Sequence, residues 1–248
     1  MKNDAFGDRM KGYENSYRIL LPKRLPVIIR IDGCHFHTFT RGLNKPFDEN
    51  LTKSFWETCK YLAQNIMGCK LAYHQSDEIS LLLTNYDKLT TESWFQNNIQ
   101  KIASVSASLA TAKFNEVIKK YYPEKPLAAF DSRVFILPHD EVCNYFLWRQ
   151  QDATKNSISM VAQANFPHKQ LQGLSGKQLQ DKLFLEKGIN WNELPVWQKR
   201  GVCTTKQYYK KEDTMRSQWE VDFDTPIFSQ NRDYINQYVY FNTDKDDI

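Results

Sequence analysis

Three acidic residues stand at the ends of predicted strands, where a sheet would bring them together. Asp32 directly follows a β-branched segment, whereas Asp77 and Glu78 separate two short strand-like segments. Two aspartates on one rim repel unless a divalent cation or a shared proton offsets their charge, and oxygen donors favour Mg²⁺ over Zn²⁺. Two such ions would clamp the attacking and leaving oxygens of a phosphoryl transfer. In the alternative, Asp32 caps a turn beside Gly33, and the other two acids form a solvated hairpin tip. Spacing alone does not decide between a metal site and these structural roles.

Two histidines, His35 and His37, follow the first of these acids at alternate positions. On a continuation of the strand both imidazoles would share one face, but no third ligand is in sight, so packing or hydrogen bonding to phosphate is favoured over a metal pair. The sequence contains no GxxxxGK[ST], HExxH or GxSxG motif and no GxGxxG motif after a strand. P-loop, zincin, serine-hydrolase and Rossmann mechanisms therefore lack their usual support.

The hydrophobic pattern predicts the strands that position these residues. Residues 27–31 are predicted to form a buried strand that ends at the first aspartate, and residues 128–137 a further strand. Residues 70–75 and 79–84 are predicted to pair as an antiparallel hairpin, because too few residues separate them for any longer connection.

Two predicted helices alternate with these strands. The first is amphipathic and ends at Gly68, and the second runs from near Thr91 to Pro123. The order strand, helix, strand, strand, helix, strand predicts an α+β fold of the split β-α-β type, a four-stranded antiparallel sheet with both helices on one face. In that topology the ends of the central strands converge, so Asp32 and Asp77 are predicted to meet on one rim.

The remaining chain is predicted to extend this core. Residues 139–165 and 175–187 show helical patterns, and the residues that follow show mixed strands and loops. We therefore predict a catalytic core over 1–138 and a helical and mixed extension over 139–248, packed together as a single compact unit. With 41% hydrophobic and 25% charged residues, the composition is that of a folded protein.

Composition also predicts the compartment. No stretch approaches the roughly 18–20 uninterrupted apolar residues of a membrane span, and the first residues lack an apolar signal core. The five cysteines are scattered and form no CxxC pair, so neither a disulfide framework nor a zinc site is indicated. These features predict a protein of the reducing cytoplasm without a membrane partner.

Charge is unevenly distributed along the chain. The net charge is +4, but the residues from 212 onward hold nine acids and three bases, so the preceding part carries +10, which suits a polyanionic partner. Residues 199–211 contain five bases, two tyrosines and no acid, a composition that neutralises phosphates and stacks on bases. We predict RNA contacts there, from Lys199, Arg200, Lys206, Tyr208, Lys210 and Lys211. The alternative is a basic edge strand that its lysines protect from aggregation.

Two long stretches carry a family resemblance. RIDGCHFHTF at 30–39 and QSDEIS at 75–80 resemble the paired signature of the tRNA-histidine guanylyltransferase family of 3′-to-5′ nucleotide polymerases. FGDRMKGYE at 6–14, KPFD at 45–48 and FDSRVF at 130–135 extend the resemblance, which covers roughly residues 6 to 205. It implies a palm domain like that of polymerases and nucleotidyl cyclases, in agreement with the strand order.

One departure from the family pattern bears on specificity. WRQ at 148–150 and Asp152 match, but TKNSISM at 154–160 replaces the HINNLYN run of the eukaryotic enzymes. This resembles the guanylyltransferase-like branch found in bacteria, archaea and some organelles, which implies template-dependent repair of 5′-truncated tRNAs in place of obligatory G addition to tRNA-histidine.

The resemblance also implies roles for individual residues. Asp32, the Gly33 carbonyl and Asp77 would bind two Mg²⁺ ions, and Glu78 would either support that site or bind metal, its structural alternative being an exposed turn acid. Nucleotide contacts are expected from Cys34, His35, Phe36, His37, Lys45, Asp48, Ser76, Arg133, Lys155 and Asn156.

Several of these residues have an ordinary structural alternative. Asp48 would equally cap the following helix, and Arg133 requires either a phosphate or an internal carboxylate as partner. Lys45 also fits a solvated loop, and Ser76 fits a hydrogen bond within the hairpin. Residues 155 and 156 also fit a solvated helix face.

The implied substrates are ATP, GTP or another NTP, and the 5′ end of tRNA. A 5′-monophosphate is first adenylylated by ATP, and the 3′-hydroxyl of the incoming NTP then attacks the activated end. The resemblance further implies a homotetramer. Two other functions use the same palm: a non-catalytic tRNA-binding module, and a nucleotidyl cyclase, which needs no basic aromatic strip for RNA.

Overall fold

The computed structural model describes residues 4–240. Its helices are α1 (Ala5–Asn15), α2 (Phe36–Phe39), α3 (Glu49–Asn65), α4 (Ile99–Tyr121), α5 (His139–Asn165), α6 (Gly176–Lys187), α7 (Val196–Arg200) and α8 (Asp233–Asn236). Its strands are β1 (Val27–Gly33), β2 (Cys69–Gln75), β3 (Glu78–Leu83), β4 (Phe130–Ile136), β5 (Val202–Lys211) and β6 (Thr214–Asp222). Short 3₁₀ turns cover Trp94–Asn97, His168–Gln170 and Trp191–Glu193.

The strands form one antiparallel sheet in the order β4-β1-β3-β2-β5-β6. The first four strands have the predicted split β-α-β order, with β1 and β3 in the centre. The sheet is larger than the predicted four strands, because residues 71–74 of β2 pair with residues 202–205 of β5. Without β5 the backbone groups of β2 would form an open edge, which proteins commonly cover. The extension after residue 138 thus continues the sheet of the core.

Alternation along the strands builds a core on each face of the sheet. Ile29 and Ile31 of β1 are fully buried against α3 and α4, in a cluster that contains Phe55 and Phe114. Ile28 points to the opposite face and belongs to a cluster with α5 and the segment after β6. Neighbouring side chains of a strand project to opposite faces, so β1 is hydrophobic on both sides.

Helix α4 begins later than the predicted start near Thr91. The side chain of Asn98 accepts a hydrogen bond from the Lys101 N–H at 3.1 Å and so caps the helix at Ile99. The preceding turn holds Phe95 and Gln96 at φ values of 49° and 53°, which no α-helix accommodates.

Gly68 occupies the predicted end of the helical pattern, between α3 and β2. Its φ is +82°, and a Cβ there would lie 2.6 Å from the carbonyl oxygen of Thr84. Only glycine combines this backbone angle with such a close approach, so the turn that leads from α3 into the sheet depends on it.

Two further findings concern the described residues as a set. None of the helices within residues 4–240 is long and apolar enough to cross a membrane. All five cysteines have free thiols, and burial raises the pKa of the Cys59, Cys69 and Cys203 thiols. These thiols are therefore protonated and unreactive at neutral pH.

Candidate functional site

The pairing of β1 with β3 brings the predicted acids onto one rim of the sheet. Asp32 stands opposite Glu78 in the register, and the N–H of Gly33 donates to the carbonyl oxygen of Asp77 at 3.1 Å. Burial raises the pKa of Asp77, and the neighbouring negative charge of Asp32 raises it further. The two aspartates thus lie close enough to repel one another, as their positions in the sequence predicted.

The donor atoms on this rim fit Mg²⁺. Within residues 4–240 no three His, Cys, Asp or Glu side chains group into a site that would hold a metal by themselves. Mg²⁺ usually takes one or two carboxylates and fills its other positions with water and substrate phosphates, which suits the pair Asp32 and Asp77. Burial is the main cause of the raised pKa of Asp77 and the negative charge of Asp32 adds to it, a charge that a divalent cation would offset.

Gly33 allows the chain to turn sharply at this rim. A Cβ on Gly33 would lie 2.2 Å from the ring of Phe36, which is itself buried beneath the rim. Only glycine therefore fits above that ring.

Glu78 has a different environment from the two aspartates. It is 4% exposed, and Arg149 Nε lies 2.8 Å from its Oε1 while Arg30 Nε lies 3.3 Å from its Oε2. The hydroxyl of Ser80 adds a long hydrogen bond of 3.4 Å. Both carboxylate oxygens thus face guanidinium groups, which favours a supporting role for Glu78 over direct metal binding.

Arg149 links this buried acid to helix α5 and was not among the predicted site residues. Its second contact joins Nη2 to Asp152 Oδ2 at 2.9 Å, and the same oxygen accepts a hydrogen bond from Asn156 Nδ2 at 3.3 Å. The chain of contacts from Glu78 through Arg149 and Asp152 ends at Asn156, which lines a cavity. The sequence shows Arg149 within the WRQ stretch at 148–150. Its burial against Glu78 could not be predicted, because a buried arginine is recognised only when its partner is known.

A cavity of about 430 Å³ opens beside the rim. This volume lies within the range typical of small-molecule sites. Its walls come from α3 and the loop before it, α5, α7 and the β2–β3 turn. Of the predicted residues, those that line it are Phe36, His37, Lys45, Asp48, Ser76, Asp77 and Asn156. Cys34, His35, Arg133 and Lys155 are not part of this lining.

Asp48 serves as a structural cap within the cavity wall. Its carboxylate accepts hydrogen bonds from the N–H groups of Leu51 at 2.8 Å and Asn44 at 3.1 Å, and from the hydroxyl of Tyr122 at 2.7 Å. Burial alone would raise the pKa of Asp48, but these hydrogen bonds outweigh it and the pKa lies below its ordinary value. The helix-cap alternative is therefore realised, and the cap also fixes the loop that precedes Lys45.

The segment after Gly33 is not a strand continuation. His35 adopts φ 55° and precedes the single helical turn of α2, so the expectation of two imidazoles on one strand face is wrong. Both histidines are exposed, with ring centroids 6.4 Å apart. The chain leaves the sheet at Gly33, and the ring of Phe36 packs beneath the backbone at that point. The tight turn follows from this packing.

Arg133 pairs with carboxylates of the protein. Its guanidinium nitrogens lie 3.7 Å from Asp32 Oδ2 and 3.4 Å from Asp131 Oδ1. The side chain is half exposed, and contacts of this length in solvent contribute little energy. Of the two predicted partners, the internal carboxylate is the one present in this structure.

The basic strip at 199–211 divides into two surfaces. Lys206, Tyr208, Lys210 and Lys211 are exposed on the outer half of β5, which pairs with β6 alone and extends beyond β2. Lys199 and Arg200 lie half-buried on α7, where Lys199 Nζ donates to the Asn192 carbonyl at 2.6 Å and Arg200 Nε to the Thr225 carbonyl at 3.3 Å. We refer to the outer part of the hairpin, residues 206–219, as the arm.

His74 is a site residue that sequence reasoning missed. It lines the cavity, stacks on Phe55 with a centroid distance of 4.7 Å, and its Nε2 donates to the Ser76 carbonyl at 2.9 Å. Burial lowers the pKa of His74 to about 4, so the ring is neutral at physiological pH. The contact fixes the turn that carries Asp77, whose neighbour Ser76 adopts φ 53°.

Comparisons with known proteins agree on one family. A family model described as tRNAHis guanylyltransferase matches residues 7–138. The tRNA(His) guanylyltransferase of Eremothecium gossypii is 32% identical over 79% of this chain and 89% of its own length.

Two solved structures of a bacterial tRNA(His) guanylyltransferase-like protein are also similar. The one in complex with ATP is 70% identical with a TM-score of 0.91, and the one in complex with GTP is 64% identical with a TM-score of 0.83. Each match covers 96% of this chain and 100% of the other. These similarities confirm the predicted palm-like fold.

Proposed function

Because the chain belongs to the tRNAHis guanylyltransferase family of nucleotidyltransferases, we propose that it adds nucleotides to the 5′ end of truncated tRNA, against a template and in the 3′-to-5′ direction. The observation that supports this most directly is the position of Asp77, which belongs both to the carboxylate pair on the rim and to the lining of the cavity. The departure at residues 154–160 favours repair of truncated tRNAs over addition restricted to tRNA-histidine.

ATP and the incoming NTP are the proposed small substrates. Lys45, Ser76 and Asn156 line one cavity together with Asp77, and each has an N–H or O–H group that donates to phosphate oxygens. Cys34, His35, Arg133 and Lys155, outside the cavity lining, would contact the second nucleotide or the RNA end.

The rim is the proposed metal site. Asp32, the Gly33 carbonyl and Asp77 would hold two Mg²⁺ ions, with Glu78 as a buried support beneath them. When bound, such ions lower the pKa of an attacking hydroxyl and stabilise negative charge on the transferred phosphate and the leaving group.

Two successive phosphoryl transfers complete the proposed reaction. The 5′-monophosphate of the tRNA attacks the α-phosphorus of ATP, so that a phosphoanhydride forms and pyrophosphate leaves. The 3′-hydroxyl of the incoming NTP then loses its proton and attacks the activated 5′ phosphate, and AMP leaves. A 5′-triphosphate end skips the first step. Since both steps displace a phosphate ester or anhydride, one carboxylate rim serves them in turn.

The arm is the proposed RNA contact. Lys206, Tyr208, Lys210 and Lys211 present both charge and aromatic surface to solvent. Such a mixture neutralises backbone phosphates and stacks on unpaired bases. Lys199 and Arg200, on α7 close to Trp197 of the cavity wall, would contact the RNA end nearer to the nucleotide.

Two properties of the whole molecule complete the proposal, a homotetrameric assembly and a cytoplasmic location. Helix α1 has no buried residue and exposes the rings of Phe6 and Tyr13, which supports association with further copies of the chain. The free thiols support a reducing compartment.

The test of the proposed function is incorporation of labelled NTP into a tRNA that lacks its first nucleotide. Asp77→Asn keeps the size of the side chain and removes its charge, so we expect activity to fall by about 100-fold or more. Asp181→Asn, at an exposed position on α6, is the matched control and should retain full activity. Exchange of the opposing template base should change which NTP is incorporated.

Two results would contradict the proposal. Tight tRNA binding by the wild-type protein without any incorporation, even on a 5′-triphosphate end, would indicate a binding module. Cyclisation of an NTP without tRNA would indicate a nucleotidyl cyclase.

A further inference from the structure

The nucleotide cavity extends along one face of α5. The lining residues Ala153, Asn156, Met160 and Ala164 recur at helical spacing, so they form a single stripe. At 1.5 Å per residue the stripe is roughly 16 Å long. An extended nucleoside triphosphate, whose phosphates lie at one end and whose base lies at the other, matches a cavity of this shape.

The two ends of the cavity differ in chemistry. Ser76 and Asp77 stand at the polar end, on the rim that carries the carboxylates. Phe47 and Trp197 line the cavity elsewhere, and Phe47 packs against a cluster formed by the C-terminal half of α5, which includes Val161. Phe47 therefore lies toward the end away from the rim, and Trp197 lies beside it at 5.8 Å, where a base would lie once the phosphates are at the carboxylates.

Neighbouring rings hold the indole of Trp197 in one orientation. The Phe47 ring lies 5.8 Å away at 71°, and the Trp56 ring lies 5.7 Å away at 89° on the α3 side. Trp56 is held in turn by Phe223, at 5.0 Å and 81°. Near-perpendicular contacts of this kind are a favoured aromatic geometry, so the half-buried Trp197 is fixed before any ligand binds.

We propose that Trp197 is the stacking surface for the base of the bound nucleotide and thereby a nucleotide-binding residue of the reaction. This inference rests on the proposed function, since it takes the cavity to bind a nucleoside triphosphate. Stacking uses the π-face that every base has, so it selects for a base without selecting one purine over another. The polar end of the cavity binds the triphosphate independently of this ring.

The experiment compares a ligand that has a base with one that has none. Calorimetric titration measures the affinity for ATP, GTP and inorganic tripolyphosphate in the presence of Mg²⁺. Trp197→Leu keeps an apolar side chain and removes the aromatic face, so ATP and GTP should each bind about tenfold more weakly while tripolyphosphate binding stays unchanged. Trp197→Phe retains a ring and should stay within about threefold of the wild type.

A matched control and three outcomes make the test decisive. Tyr121→Leu removes an exposed aromatic ring from the end of α4, outside the cavity lining, and should leave all three affinities unchanged. Equal losses of ATP and tripolyphosphate in Trp197→Leu, or no loss of ATP, would overturn the inference and leave the proposed function standing. Failure of the wild-type protein to bind any nucleotide would overturn the proposed function itself.

Discussion

At the scale of single residues, the surroundings of each acid separate its role from that of its neighbours. Asp32 and Asp77 crowd one another on an open rim, and the pKa of Asp77 is raised by burial and by that neighbouring charge. Glu78 and Asp48, by contrast, have their oxygens occupied by donors of the protein. Asp32 has only long contacts with two guanidinium groups, 3.7 Å to Arg133 and 3.8 Å to Arg30, and remains available for a ligand, whereas the fully satisfied acids hold the structure in place.

His74 gives a prediction about pH. Its pKa is about 4 in the folded protein because burial disfavours the charged ring, whereas an unfolded histidine titrates near 6.5. The unfolded chain therefore takes up the proton first as the pH falls, and this residue removes stability between pH 6.5 and 4. At 1.36 kcal/mol per pKa unit the loss is about 3 kcal/mol. Urea unfolding at a series of pH values should show a shallower decline in this range for His74→Gln.

The control for this prediction is another histidine of the same chain. His168 is exposed, so His168→Gln should retain the wild-type decline between pH 6.5 and 4. The same decline in His74→Gln as in the control would show that burial of this ring does not set the acid stability of the protein.

At the scale of secondary-structure elements, a buried ion pair joins α5 to the central sheet. Arg149 projects from the helix to Glu78 at the start of β3 and continues to Asp152, one turn along α5. The favourable interaction with Glu78 outweighs the effect of burial and raises the pKa of Arg149. The helix that lines the cavity is thereby tied to the strand that follows Asp77.

Removal of one partner of this ion pair should greatly reduce the free energy of unfolding. Arg149→Met leaves Glu78 buried without its main partner and should reduce the free energy of unfolding by about 3–5 kcal/mol. The double variant with Glu78→Gln should recover part of that loss, because the uncompensated charge is then absent. Lys53→Met, which breaks an exposed i,i+4 ion pair with Glu49 on α3, is the control and should cost no more than about 0.5 kcal/mol. Urea denaturation measures all three variants, and equal effects of Arg149→Met and Lys53→Met would contradict the role of the pair.

At the scale of the whole molecule, the acidic and basic regions lie on different parts of the fold. The carboxylates are on the rim of the central strands, whereas a large share of the exposed basic and aromatic side chains of residues 199–211 lies on the arm. The proposed metal site and the proposed RNA contact are therefore separate parts of the surface.

The arm predicts a change in salt dependence. Each lysine that neutralises a phosphate contributes about 0.7–0.9 to the slope of log K against log salt, so Lys206→Gln with Lys211→Gln should reduce that slope by about 1.5 for tRNA binding. Lys169→Gln with Lys177→Gln removes the same charge from the exposed region around α6 and should leave the slope unchanged. Fluorescence titrations at several salt concentrations measure both, and an equal reduction in the two variants would contradict specific contact by the arm.

Local sequence patterns were sufficient for most of the fold and for the acids of the site. The strand pattern at 27–31, the short gap around Asp77 and the helical spacing along α3 predicted the split β-α-β core, and with it the meeting of Asp32 and Asp77. These features depend on side-chain periodicity and on chain length between neighbouring elements, which are properties of the sequence itself.

The tertiary structure decided what depends on contacts between distant residues. The pairing of β2 with β5, the buried partner of Glu78 and the occupied carboxylate of Asp48 join residues that are far apart in the chain. The aromatic contacts of Trp197 form only because α7 packs beside α3, where Trp197 meets Phe47 and Trp56. A single sequence shows which side chains are present and how they repeat, but only the packed chain determines which of them are satisfied by the protein and which remain free for a ligand.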